Sequence, residues 1–152
     1  MLCKIISGGQ TGADRAALDA SILHSFPYSG SCPIGRIAED GKIDSIYNLA
    51  EIGGGYRART KKNVEDADGT AVFYSGYVSG GTELTVAFCI KHKKPYKLID
   101  IDLIEHELAT ESLQKFIIDY DIEILNVAGP RHSQCPEIYN YVKSVITLLL
   151  EK

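Results

Sequence analysis

Three segments of this chain combine glycine with groups suited to holding an anion. The first is SGGQTGAD, Ser7 to Asp14, in which Gly8, Gly9, Gln10, Thr11 and Gly12 lead to the acidic Asp14. Glycines let backbone N–H groups approach a phosphate, and a helix opening at the end of such a string adds its partial positive charge. The second is SGYVSGGTELT, Ser75 to Thr85, whose Ser79, Gly80, Gly81 and Thr82 have the same character. The third is AGPRHS, Ala128 to Ser133, which carries Arg131 and His132. The first string is neither G-x-G-x-x-G nor G-x-x-x-x-G-K-[ST], so dinucleotide and Walker readings lack their key residues. The chemistry that remains is capture of one phosphate by backbone amides. The structural alternative is a tight strand-to-helix turn that merely needs glycine.

The arginines point the same way. All five, Arg15, Arg36, Arg57, Arg59 and Arg131, lie in or directly beside Gly-rich segments, while the eleven lysines are spread mainly over helix ends and surfaces. Arginine suits bidentate phosphate or carboxylate recognition, and lysine serves as a general solubilising charge. Arg36 and Arg131 are the expected ligand contacts. Arg15 stands four residues before Asp19 and also suits a helical ion pair. Asp14 favours a helix dipole whether or not it meets ligand. Glu39 and Asp40 can accept hydrogen bonds from a purine- or pterin-like edge, or simply occupy an exposed turn. Cys3, Cys32, Cys89 and Cys135 have no metal-ligand spacing, so no metal site is assigned and reduced thiols in cytoplasm are the simplest reading.

These loops need strands to launch them. Short β-branched or aromatic runs recur at Leu2 to Ile6, Thr70 to Tyr74, Tyr96 to Ile101 and Ile122 to Val127, with a weaker one at Phe26 to Ser29. Helical segments follow, at about Thr11 to His24, Tyr56 to Asp66, Gly81 to Lys93, Ile104 to Tyr120 and Pro136 to Glu151. This alternation predicts an α/β fold, a single Rossmann-like three-layer domain with a mostly parallel sheet spanning residues 1–152. Ala13, Ala16, Ala17 and Ala20 form a small-residue stripe on the first helix, suited to close packing on the sheet. Gly30 to Gly55 is a long Gly-rich connection, and structureless segments of that length are usually functional or disordered.

Composition narrows the partners. With 152 residues, one domain can bury roughly 70% of its unfolded surface. A net charge of −4 argues against broad binding to nucleic acid or an anionic membrane, so any anion site is local. The longest apolar stretches fall far short of the roughly 20 residues that a membrane span requires.

Five strings resemble the molybdenum-cofactor carrier family, within the wider Rossmann-like group that includes LOG-type nucleotide phosphoribohydrolases. They are ISGGQTGADRAALD (6–19), CPIGRIAEDG (32–41), GYRARTKKNVEDADGT (55–70), SGGTELT (79–85) and NVAGPR (126–131), in order along nearly the whole chain. The resemblance implies an oligomeric protein that holds the molybdenum cofactor (molybdopterin), a pterin with a terminal phosphate and a metal-bearing dithiolene, for a molybdoenzyme client. Gly8 to Gly12 and Gly80 to Thr82 would then cradle the phosphate, with charge from Arg36 or Arg131. The alternative is hydrolysis of a nucleotide's N-glycosidic bond, as in the LOG-type relatives. Their P-G-G-x-G-T-x-x-E pattern ends in a catalytic carboxylate, whereas Thr85 stands at that position here. Glu83 lies about 200° away around a helix and is no simple substitute. A binding and carrier protein is therefore favoured over an enzyme. A nucleotide-sensing module without turnover fits the same residues.

Overall fold

The computed structural model describes residues 1–151. Its centre is a five-stranded parallel sheet of β1 (Lys4–Ile6), β2 (Tyr28–Ser29), β7 (Gly69–Tyr74), β8 (Tyr96–Asp100) and β9 (Ile124–Ala128), in the order β2-β1-β9-β7-β8. Five helices accompany it: α1 (Ala13–Leu23), α2 (Gly55–Asp66), α3 (Gly80–Lys91), α4 (His106–Asp119) and α5 (Ile138–Leu150). The direction of each step between parallel strands decides which face its helix covers, because such crossovers are right-handed. The connections through α1 and α4 step one way, and α1, α4 and α5 share one core with the sheet. The step through α3 runs the other way, and α3 joins α2 in a separate cluster around Val64, Phe88 and Cys89. The chain is thus the expected Rossmann-like α/β fold with a helical layer on each face.

The sheet order carries more information than the strand count. Read from β9 through α5 into β1, the strands β9, β1, β2, β7 and β8 lie in the order 3-2-1-4-5, that of a doubly wound nucleotide-binding sheet. The strand that would come first in that arrangement is supplied last. The switch point falls between β9 and β7, the strands that precede the Arg131 loop and the Gly80 loop.

The small-residue stripe of α1 is buried as expected. Ala13, Ala16, Ala17 and Ala20 are fully buried in the core that α1 shares with the sheet and α5. On α5 the buried residues are Ile138, Tyr141, Val142, Val145, Ile146 and Leu149. That helix begins at Ile138 rather than at Pro136, with Pro136 and Glu137 in the preceding turn. Likewise the first helix starts at Ala13, after Gly12 at φ 80° closes the preceding loop. Neither local signal specified those last two residues.

The long connection between Gly30 and Gly55 is built rather than structureless. β3 (Ser31–Pro33) pairs in parallel with β6 (Ala50–Ile52), and β4 (Ile37–Ala38) pairs antiparallel with β5 (Gly41–Lys42). This strap has its own small core, in which Cys32, Ala38, Ile43, Tyr47 and Leu49 pack against Leu18 of α1. Asn63 of α2 clamps β3 by accepting from Ser31 N–H and donating to Ser31 C=O, at 2.8 and 3.1 Å. Among the described residues, no helix is long and apolar enough to cross a membrane.

Candidate functional site

Parallel strands deliver their loops to one edge of the sheet, and at the switch point the loops on either side diverge and leave a crevice. A cavity of about 340 Å³ occupies that place. Its floor is the end of β9, Asn126 to Ala128, continued by Gly129, Pro130 and Arg131. One wall is the first turn of α3, Gly80 to Thr82, and the other is a face of α2. Ser79 precedes α3 without making a side-chain cap, so the first-turn amides have no capping acceptor.

The α2 face bears Tyr56, Arg59, Thr60 and Asn63 on the cavity. Their spacing of i, i+3, i+4 and i+7 is that of one side of a helix. Arg59 is the decisive member. Its Nη1 donates to Asp14 Oδ2 at 2.9 Å, with the two side chains 13% and 9% exposed. The guanidinium crosses directly over Gly8, where a Cβ would stand 1.7 Å from Nη1. Gly8 is therefore needed for the approach of a side chain from α2.

Burial pushes the Asp14 carboxyl up, against the pull of the Arg59 guanidinium beside it. Arg59 Nε is buried and has no hydrogen-bond partner among the described residues. Such an orphan costs roughly 1–3 kcal/mol unless something supplies an acceptor. Asp14 is the sole carboxylate on the cavity wall and is already paired. The second arginine on the wall, Arg131, is about half exposed and only loosely associated with Glu39 at 3.7 Å. The cavity therefore carries an excess of positive charge beside a helix N-terminus.

The sequence-predicted residues divide. Gly8, Gln10, Asp14, Gly80, Gly81, Thr82 and Arg131 all line the cavity. Ser79 faces an adjoining recess. Gly9 packs toward Ile43 and Leu49 of the strap. Thr11 and Gly12 face the far side of the first loop, and Ala13 N–H donates to Pro130 C=O at 3.2 Å. The first loop is thus bound mainly to its own protein. Gln10 Oε1 accepts from Thr11 N–H and Glu39 N–H at 3.0 and 2.9 Å.

Arg36 lies outside the cavity. It adopts φ 56°, and its guanidinium donates to the carbonyls of Ile43, Asp44 and Tyr47 at 3.1, 2.8 and 2.6 Å. The sequence shows a charge in a Gly-rich motif, but not that three carbonyls of the strap converge on it. Arg36→Ala is expected to lower stability by about 1–3 kcal/mol while leaving affinity for any cavity ligand unchanged. Urea denaturation and ligand titration on one preparation check both halves.

Arg15 also finds a different partner. It pairs with Asp40 at 2.9 Å and donates to Gly9 C=O, while Asp19 accepts the hydroxyls of Tyr47 and Tyr139. Burial and the Asp19 carboxylate raise both tyrosine hydroxyls above their ordinary range. Glu39 accepts from Ser133 and Thr11, bonds that hold its carboxyl at about 2. The predicted purine- or pterin-facing acids are thus engaged in joining the strap to the loops. Tyr56, Thr60, Asn63, Leu84, Asn126 and Gln134 also line the cavity and carry no role in the motif reading, and Arg59 carries only its place among the five arginines. A helical-face reading of residues 56–63 would have found four of them.

Comparison with known proteins agrees with the permuted sheet. Residues 5–150 match the family described as the circularly permutated YpsA SLOG family. The crystal structure of a protein from Syntrophus aciditrophicus SB, named "Putative molybdenum carrier protein", superposes with a TM-score of 0.95 at 45% identity. The match covers 98% of this chain and 95% of that one. No curated protein matches. A sheet that supplies its first strand last, a match over residues 5–150 and near-complete superposition on that relative lead to one assignment: this chain belongs to the circularly permutated YpsA SLOG family.

Proposed function

We propose that the chain is a binding and carrier protein whose cavity takes a phosphate-bearing pterin or nucleotide, with the molybdenum cofactor as the leading candidate. The observation that carries this reading is the pairing of an uncapped α3 N-terminus with two arginines across one cavity. The open space beside Gly81, where a Cβ would meet no atom within 4 Å, fits a phosphate that needs close backbone approach. The candidate cofactor comes from the name of the Syntrophus relative. In this reading Gly80, Gly81 and Thr82 supply amides, and Arg59 and Arg131 supply charge-assisted bonds. The cofactor itself would bring metal and redox chemistry for a client molybdoenzyme. Among the described residues no group of three or more His, Cys, Asp or Glu side chains is placed to hold a metal, so the reading assigns no protein ligand to the metal end.

Hydrolysis of a nucleotide is not part of the proposal. Thr85 donates its hydroxyl to Gly81 C=O at 3.1 Å, Glu83 is exposed and off the cavity wall, and Asp14 is held by Arg59. A general acid or base typically contributes 10²–10⁴-fold, and no unpaired carboxylate stands in the cavity to provide it.

The same reading includes a cytoplasmic homo-oligomer and treats residues 1–152 as one domain of the carrier type. α3 is apolar on both sides, with Ala87 and Ile90 left exposed and Val86 half-buried, the pattern of a helix that expects cover on its outer face. Sedimentation showing only monomer at micromolar concentration would count against that part.

Calorimetry with the molybdenum cofactor, with AMP and with the dephosphorylated pterin tests the core of the reading. Saturable binding that requires the phosphate is expected, weakened roughly tenfold or more by Arg131→Ala, with no free adenine released from AMP. Equal binding of the phosphate-free pterin, or turnover of AMP at about 1 per second or faster, would sink it.

A further inference from the structure

The cavity does not end at the helix that would hold the phosphate. A recess of about 190 Å³ lies on the other side of the α3 N-terminus, lined by Ser75, Tyr77, Ser79, Cys135 and Glu137. Thr82, Pro130 and Gln134 belong to the walls of both spaces and form the sill between them. Thr82, at the first turn of α3, is 6% exposed and borders both spaces. The rest of the residue is covered, and Thr82 stands on the sill where a ligand would cross.

Each space has an aromatic ring at its mouth. Tyr56 on α2 borders the first and is 48% exposed, and Tyr77 borders the second and is 75% exposed. The arginines are confined to the first space, and the charged group of the second is the exposed carboxylate of Glu137. Burial pushes the Cys135 thiol up to about 11, so it faces the recess as a neutral group. The order across the site is therefore ring, arginines and helix N-terminus, the Thr82 sill, then a second ring with an acceptor.

We infer that the ligand's phosphate is internal rather than terminal: the site takes a phosphodiester- or pyrophosphate-linked molecule with a flat ring at each end, one beside Tyr56 and one beside Tyr77. A terminal phosphomonoester would leave the second recess and Tyr77 unused. A bridged ligand places its linker on the Thr82 sill, with its second ring system reaching Tyr77 and a hydroxyl or amino group donating to Glu137. This inference rests on the phosphate-binding reading above and specifies its ligand class.

The test uses two matched pairs of probes on the full chain: AMP against diadenosine diphosphate, and the molybdenum cofactor with its terminal phosphate against its nucleotide-extended form. In the pair that binds, the bridged member is expected to bind at least tenfold more tightly, as stacking of one further ring supplies. Tyr77→Ala, at an exposed position that leaves the fold intact, should abolish that advantage and leave the single-ring probe unaffected. Tyr56→Ala should weaken both members. Equal affinity within the pair, or equal weakening of both by Tyr77→Ala, would overturn the inference while leaving phosphate binding in place. Failure of all four probes to bind would overturn the phosphate reading and this inference with it.

Discussion

Replacing Arg59 with Met is expected to destabilise the protein by about 3 kcal/mol at pH 7 and to remove ligand binding with it. The stability loss follows from burial. Asp14 is 9% exposed at its side chain, and Arg59 is its charge partner at 2.9 Å. Breaking a buried pair by removing one partner typically costs about 3–5 kcal/mol, because the remaining charge has neither water nor a counter-ion. Asp14 has an escape, since burial already raises its carboxyl above the ordinary carboxylate range and losing Arg59 raises it further. A carboxyl whose folded value is raised favours folding in its protonated form. Its contribution is intact below the unfolded value and is lost as pH rises through the folded value. The deficit of Arg59→Met relative to the parent should therefore be small near pH 4 and fully developed at pH 7.5. Urea titrations at the two pH values measure it, and a second change, Asp14→Asn, should recover most of the loss. An equal deficit at both pH values would show that Arg59 acts through packing alone.

Gly81→Val should do the opposite, abolishing binding with little effect on the fold. A Cβ at Gly81 meets nothing within 4 Å, and its φ is not in the left-handed region, so the substitution carries no backbone strain. The space it enters is the cavity beside the α3 amides. A branched side chain there displaces the phosphate from those amides without altering charge. Loss of one or two charge-assisted bonds weakens affinity roughly ten- to a hundredfold or more. Thermal unfolding within a few degrees of the parent, together with loss of the calorimetric signal, is the expected pair of results. Retained affinity would place the phosphate elsewhere.

The two variants mark how far the residues could be read before the fold was known. Gly81 was visible because Ser79 to Thr82 follows a β-branched run and opens a helix, a purely local pattern. Arg59 was visible as one of five arginines beside glycine, but its role was not. It reaches Asp14, 45 residues earlier, across the backbone of Gly8. Arg36 fails for the same reason in reverse: it looks like a ligand residue in its motif and is used up by carbonyls 7, 8 and 11 residues further on. In the strap, Cys32, Ile43 and Leu49 give little periodicity, since their order comes from packing on Leu18 rather than from any repeating pattern of their own.

The sequence by itself determined the Rossmann-like class, the helices behind the Gly-rich loops, the buried alanine stripe of α1 and the family resemblance. Each rests on interactions between residues a few positions apart or on a motif read as a string. Tertiary structure decided the rest: the insertion of β9 between β1 and β7, the convergence of α2, α3 and the β9 loop on one cavity, and which arginines face it. Those depend on strand order and on contacts dozens of residues apart in the chain. A charged side chain reveals its type in the sequence, but its partner is chosen by whichever acceptors the fold brings within about 3 Å.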